Sequence, residues 1–365
     1  WNRDFSVPTM QSSVDYQVNS LRWAAIGGPV EASLTAYGRV MDLWEMVELL
    51  RCPVVIKDGW DRAVWWGYVA EVRVRVGAIE VGATMDSLQN AVAVAYSYVA
   101  PGTTTVGQRK TTGWIMDAAS IAEYGRKDFL SSQGGLTDEA AMGRRNAILA
   151  SRKWPNGSMS AYPGLAPRGR VTYSGANSSQ SATIKCKGWW DTLGWRMAEV
   201  SSTANTATTA QIANLVSTYG QFLTATDIDA ASGISSSAYR AGDKTALQEI
   251  TALLEVGGPN ARRYLASVDI NRRVQVVEEA ASTVQAYMLK GDGTLELPNE
   301  LGVEEYLPPV GNWVRLKDVL PSSADITKMI DPRIQFIEGA TWSPSGLQLQ
   351  FKGQPSIDDM FKVLR

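Results

Sequence analysis

Val64-Trp65-Trp66-Gly67-Tyr68-Val69-Ala70-Glu71-Val72-Arg73-Val74-Arg75-Val76 is the stretch that decides the fold class. From Glu71 onward charged and apolar residues alternate. Val72, Val74 and Val76 point one way; Glu71, Arg73 and Arg75 point the other. Period two is the pattern of a strand with one wet face. Gly77 breaks the run, and Ile79 to Val81 begins the returning strand. Upstream, Val54-Val55-Ile56-Lys57 is a short apolar run closed by the turn pair Asp58-Gly59. The first hundred residues read mainly as strands. Within them Leu43, Met46, Val47 and Leu50 fit a helical face ended by Pro53.

The character changes after Thr111. Asp117 to Phe129 mixes small and polar residues. Thr137 to Lys153 reads as a helix, with Asp138 and Glu139 early and Arg144, Arg145 and Arg152 late, an order that suits the helix dipole. Pro155 to Gln180 is loop-like around a short strand, Arg170 to Tyr173. Thr183 to Lys187 reads as a strand running into Gly188-Trp189-Trp190. Ser201 to Thr209 has the composition of a linker or exposed loop. Ile212, Leu215, Val216 and Tyr219 mark a helix stopped by Gly220. Leu247, Ile250, Leu253 and Leu254 mark another, stopped by Gly257-Gly258-Pro259. Strands follow at Ser267 to Ile270 and Arg273 to Glu278. A hairpin joins Tyr287–Lys290 to Thr294–Leu297 across Gly291-Asp292-Gly293. Trp313 to Leu316, Ile334 to Glu338 and Leu347 to Phe351 continue the pattern. The class expected is α+β with a strand majority.

At 365 residues the chain is long enough for two or more domains. It is 45% hydrophobic and 20% charged, an ordinary globular balance. Lys and Arg total 35 against 37 Asp and Glu, a formal charge of −2. Such a chain is not built to coat nucleic acid, and its basic pairs (Arg144-Arg145, Arg262-Arg263, Arg272-Arg273) read as solvated faces. No stretch has the ~20 apolar residues of a membrane span. Trp1-Asn2-Arg3-Asp4 does not read as a signal peptide; without an initiator Met, it is open to processing or an incomplete start. Cys52 and Cys186 cannot make a disulfide scaffold and are expected to be buried free thiols.

Histidine is absent. That removes Ser-His-Asp and Cys-His catalysis, His-based zinc sites and HExxH at once. Lys290-Gly291-Asp292-Gly293-Thr294 lacks the further ligands of a calcium loop and reads as a hairpin turn. The acid pairs Glu278-Glu279, Glu304-Glu305 and Asp358-Asp359 are sequence neighbours, a poor source of the opposed carboxylates of a glycosidase. The expectation is a protein that is not an enzyme, with no catalytic residues, metal or cofactor. Trp65-Trp66-Gly67 and Trp189-Trp190 stand out among 13 tryptophans. In adjacent strand positions the paired rings face opposite ways, one into a core and one toward a second surface such as a subunit contact.

Several segments together resemble the tail baseplate hub, or minor tail protein, family of tailed bacteriophages. The first is Arg22-Trp23-Ala24-Ala25-Ile26-Gly27-Gly28-Pro29 with Asp58 to Val69. The second is Asp117 to Lys127. The third is Lys185-Cys186-Lys187-Gly188-Trp189-Trp190-Asp191-Thr192-Leu193-Gly194-Trp195. The last is Val310 to Leu316 with Phe336-Ile337-Glu338. The resemblance implies two tail-tube-like β-barrels with small α/β domains inserted between their strands. It implies a homotrimer whose partners are the tail tube or distal tail proteins and the tip or fibre proteins. Genomic DNA would pass without specific binding. The place implied is the virion tail tip, reached through assembly in the host cytoplasm. Some hubs carry an additional wall-degrading module; none is expected after Arg365.

Combined with the patterning, this gives an expected first barrel from 1–105 plus 181–200 and an inserted α/β domain at 106–180. A second small α/β domain is expected at 201–269 and a second barrel at 270–365. Trp65, Trp66, Gly67, Trp189, Trp190 and Trp195 are the candidate structural and interface residues. The alternative reading is a carbohydrate-binding, receptor-recognition protein of the tail tip.

Overall fold

Ala63–Val76 forms a strand, and its alternation survives folding: Val72 and Val74 are buried while Arg73 and Arg75 are exposed. It turns at Gly77 into Ile79–Thr84. Gly77 has φ +61°, a conformation without cost for a residue lacking Cβ. This computed structural model describes residues 3–6, 13–161, 164–165, 171–172, 180–199, 206–229, 233–236, 242–281, 285–296, 308–317 and 334–352.

One edge of Ala63–Val76 carries Pro53–Lys57 and Ile79–Thr84. The other receives Ser181–Lys187, which lies antiparallel between it and Ile26–Tyr37. Ile26–Tyr37 forms a hairpin with Asp15–Ala24, which pairs in turn with Ile334–Ser343. The path continues through Trp313–Lys317 and Gln285–Lys290 to Leu295–Glu296. Tyr264–Val268 joins from the side, parallel to Ile26 and Gly27 and antiparallel to Arg273–Glu278. The result is a mixed α+β protein built on one large sheet.

That strand order corrects the expectation of β-barrels. The large sheet has 15 strands, and its path runs from Asn156–Ala161 at one end to Leu295–Glu296 at the other. Among the described residues these ends do not pair, so the sheet is open; a barrel requires its first and last strands to be hydrogen-bonded. Early and late strands, expected in two separate barrels, are joined directly from Leu21↔Trp342 to Ala24↔Gly339. Alternation determines which face of a strand is wet. It does not choose the neighbour at either edge.

Trp189 and Trp190 need a second correction. They do not extend the Ser181–Lys187 strand but open a 3-10 turn, Trp189–Trp195. The cause is local. Gly188 is pressed so closely on Pro29 that an added Cβ would lie 1.7 Å from the Pro29 carbonyl oxygen. The chain then turns, with the Asp191 N–H donating to the Gly188 carbonyl and the Thr192 hydroxyl to that of Trp189.

Ala91–Val99 is the centre of a separate four-stranded sheet, parallel to Asp128–Leu136 and antiparallel to Val106–Thr111 and Ile115–Met116. Helix Asp138–Arg152 packs on it, its first turn capped by the Thr137 hydroxyl accepting from the Ala140 N–H. A short helix not anticipated from sequence, Ala118–Tyr124, is capped by Asp117. Thr208–Tyr219 ends at Gly220, and Ala246–Val256 ends at Gly257, where φ is +84°. These two helices pack together, and the second leans on the Trp189–Trp195 turn. Of the expected linker Ser201 to Thr209, residues 201–205 lie outside the described set, and Thr208 already belongs to the helix. Arg170, Tyr173, Leu297 and the acid pairs Glu304-Glu305 and Asp358-Asp359 also lie outside it. Cys52 and Cys186 are free and buried.

Candidate functional site

The candidate tryptophans sit at a junction where the large sheet, the Trp189–Trp195 turn and the helix pair Thr208–Tyr219 and Ala246–Val256 meet. Trp65 is fully buried, and Trp189, Trp190 and Trp195 are nearly so. Gly67 permits another close approach. A Cβ there would stand 2.1 Å from the Lys187 carbonyl oxygen, so only glycine lets strand Ala63–Val76 pass this close to the end of Ser181–Lys187. Trp190 lies over Gly27, where an added Cβ would meet its ring at 3.0 Å. Trp66 is partly buried, and its indole N–H donates to the Val268 carbonyl at 2.8 Å.

Trp189 and Trp195 frame Tyr68, with ring centroids 5.4 and 5.5 Å from it. Phe222 lies 5.8 Å from each tryptophan, and Phe5 lies 5.5 Å from Trp189. Edge-on ring pairs of this kind add about 0.5–1.5 kcal/mol each beyond the area they bury. Beside the rings runs a polar chain. The Tyr68 hydroxyl donates to Asp191 Oδ2 at 2.6 Å, and the Trp195 indole donates to the same oxygen at 3.2 Å. Lys187 Nζ bonds Asp86 at 2.7 Å and stands 3.9 Å from Asp191. Lys127 Nζ donates to the Met85 carbonyl at 2.7 Å and lies 5.4 Å from the Trp195 ring centre.

Charge states follow from this packing. Burial, reinforced by the Asp191 carboxylate, pushes the Tyr68 phenol well above its usual range. Burial pulls the Lys127 ammonium down to about 8. Burial alone would raise the Asp86 carboxyl, but its bond to Lys187 holds it below its ordinary value. Burial raises both cysteine thiols, which leaves them poor nucleophiles. Among the described residues no cluster of His, Cys, Asp or Glu could hold a metal ion. The groups gathered here bond one another and lock strands together; the arrangement is a structural joint.

No family model and no curated protein matches the sequence. Among solved structures the chain is similar to the 43 kDa tail protein of prophage MuSo2 from Shewanella oneidensis. Identity is 8%, with 83% of this chain and 96% of that chain covered. The TM-score is 0.29.

Sequence reasoning singled out the six aromatic and glycine positions but not Tyr68, Asp191 or Lys127, which supply the polar half of the joint. Tyr68 and Asp191 were legible only as neighbours of those positions. Nothing in the local pattern around Lys127 announces its partial burial.

Proposed function

We propose that this chain is a structural virion protein, a subunit of a bacteriophage tail baseplate hub that joins the tail tube to the tip and frames the DNA exit channel. The observation that carries this reading is the convergence of the hub-like segments. Gly27 meets Trp190, Gly67 meets the Lys187 carbonyl, Lys127 lies against Trp195, and the Ala25 N–H donates to the Glu338 carbonyl. Segments far apart in sequence therefore build one connected joint, as a shared architectural signature would.

A surface for assembly supports it as well. All six residues of Asn156–Ala161 are exposed, and none is charged. Among the described residues this strand pairs only with Ile79–Thr84, leaving its outer edge open to a strand from another subunit. The functional form in this reading is a closed ring of three copies, since a cyclic contact leaves no sticky surface behind. The channel face is neutral to acidic, so that phosphates are not gripped. Antibody-labelled tails imaged by electron microscopy test the proposal. Three copies at the tip are expected; a six-copy layer, or none at the tip, would refute it.

Trp60 favours a second reading, recognition of carbohydrate at the tail tip. It is 79% exposed, with the Arg62 guanidinium 4.9 Å from its ring centre. Asp58 rigidifies this tip by accepting from the Trp60 and Arg62 N–H groups. Saturable quenching of tryptophan fluorescence by host glycans, lost in Trp60→Ala, would favour it over the hub.

A further inference from the structure

Eight strands of the large sheet follow one another in antiparallel order. They run from Asn156–Ala161 through Ile79–Thr84, Ala63–Val76, Ser181–Lys187, Ile26–Tyr37, Asp15–Ala24 and Ile334–Ser343 to Gly346–Phe351. Among the described residues the first and last of these each pair on one side only, which leaves a row of backbone donors and acceptors open. Natural edges are commonly blunted by charge. The other described strands of at least five residues with one open side follow that rule. Pro53–Lys57 carries Lys57, Val106–Thr111 carries Arg109 and Lys110, and Asp128–Leu136 carries Asp128. Asn156–Ala161 and Gly346–Phe351 carry no charge at all.

The two edges also match in face and direction. Met159 lies opposite Val81, Val81 opposite Val74, and the row continues through Ala182 to Ala36. From the other end, Leu347 lies opposite Trp342, Trp342 opposite Leu21, and Leu21 opposite Ala32. Ala32 and Ala36 share one face of their strand, and both are fully buried. Met159 and Leu347 therefore lie on the core face at the two ends of the sheet, yet they are 78% and 46% exposed. An even number of strands makes the two end strands run in opposite directions. A second copy in the same orientation thus meets the first as an antiparallel pair.

We propose that Gly346–Phe351 of one copy adds antiparallel to Asn156–Ala161 of the next, with Leu349 opposite Met159. The contact rests on these two edges; its closure as a ring of three rests on the hub reading. In this register Phe351 faces Gly157 and Leu347 faces Ala161, large beside small. Gln348 and Gln350 face Ser160 and Ser158 on the opposite side, where uncharged polar groups can bond one another. The core face of one copy continues into that of the next. Antiparallel pairing of either strand with its own counterpart turns the second copy over and sets small beside small or large beside large.

The test uses the full chain with one cysteine added at a time, Ser160→Cys or Gln348→Cys. Both positions are exposed, and the native Cys52 and Cys186 are buried. Opposed Cβ atoms in such a pair lie ~5 Å apart, within reach of a short bis-maleimide. Concentrated chains are treated with that linker and run on a denaturing gel. A covalent dimer is expected from the mixture of the two variants and from neither alone. Adding Leu347→Lys to the Gln348→Cys chain should abolish it. Ser160→Cys mixed with Asn146→Cys, exposed on helix Asp138–Arg152, sets the level of random collision. No dimer above that level overturns the proposal. So does a single variant that cross-links as well as the mixture, which would show self-pairing. Three copies at the tail tip without this cross-link would remove the contact and leave the hub reading standing.

Discussion

The Tyr68 hydroxyl donates to Asp191 Oδ2 at 2.6 Å, joining the longest strand of the large sheet to the turn that follows Ser181–Lys187. Trp195 donates to the same oxygen, so one carboxylate serves two buried rings. Tyr68→Phe removes a charge-assisted bond and should cost about 1.5 kcal/mol. Asp191→Ala strands both donors and should cost more, roughly 3 kcal/mol. The double variant should lose less than the sum of the two, because they share one interaction. Equilibrium urea unfolding of the four proteins measures this; strict additivity would show that the bond contributes nothing.

Glycine substitutions should divide sharply. In Gly188→Ala the new methyl would stand 1.7 Å from the Pro29 carbonyl oxygen, and in Gly67→Ala 2.1 Å from that of Lys187. Both obstacles are backbone in paired strands, so each variant should lose more than about 4 kcal/mol or fail to accumulate as soluble protein. Gly143 sits inside helix Asp138–Arg152 with nothing within 4 Å of an added Cβ. Gly143→Ala should instead gain roughly 0.8–1 kcal/mol. Thermal unfolding of the three variants checks the ordering.

Stability should rise with pH through the Lys127 window. Burial lowers this ammonium from 10.5 to about 8 in the folded chain. Between those values the unfolded chain holds the proton and the folded chain does not, so raising pH favours the folded state. Below about 8 both states are charged and the cost of burying the cation is felt in full. Lys127→Met should flatten the slope between pH 8 and 10.5. The quantity to measure is the difference in unfolding free energy between wild type and variant across that range. A difference independent of pH would contradict the assignment.

Charge on the open edge should block assembly without harming the fold. Met159 is 78% exposed in Asn156–Ala161. Met159→Lys should change unfolding stability by no more than about 0.5 kcal/mol, as expected of an exposed position. Edge lysines nevertheless resist strand addition. Reduced incorporation of Met159→Lys into tails, with an unchanged circular dichroism melt, is the expected result; wild-type incorporation would remove this edge from the assembly surface.

The amino-acid sequence by itself determined the local elements whose cause is local. The valine–arginine alternation made Ala63–Val76 a strand with one wet face, and Thr137 with its early acids set the start of helix Asp138–Arg152. Gly220 and Gly257 ended the two later helices. The loss of histidine chemistry was likewise plain from composition. Tertiary structure alone decided how those strands were joined. Ser181–Lys187 lies between two strands far upstream, and Asp15–Ala24 bonds Ile334–Ser343, so the sheet is open where closed barrels were expected. It also turned Trp189 and Trp190 out of the strand, because Gly188 meets Pro29 from a different part of the chain. It buried Arg51 and partly buried Lys127, two cations whose sequence neighbours give no sign of it. Side-chain period and capping act over a few residues and are written in order. Edge pairing, close backbone approach and desolvation depend on segments that meet only after folding.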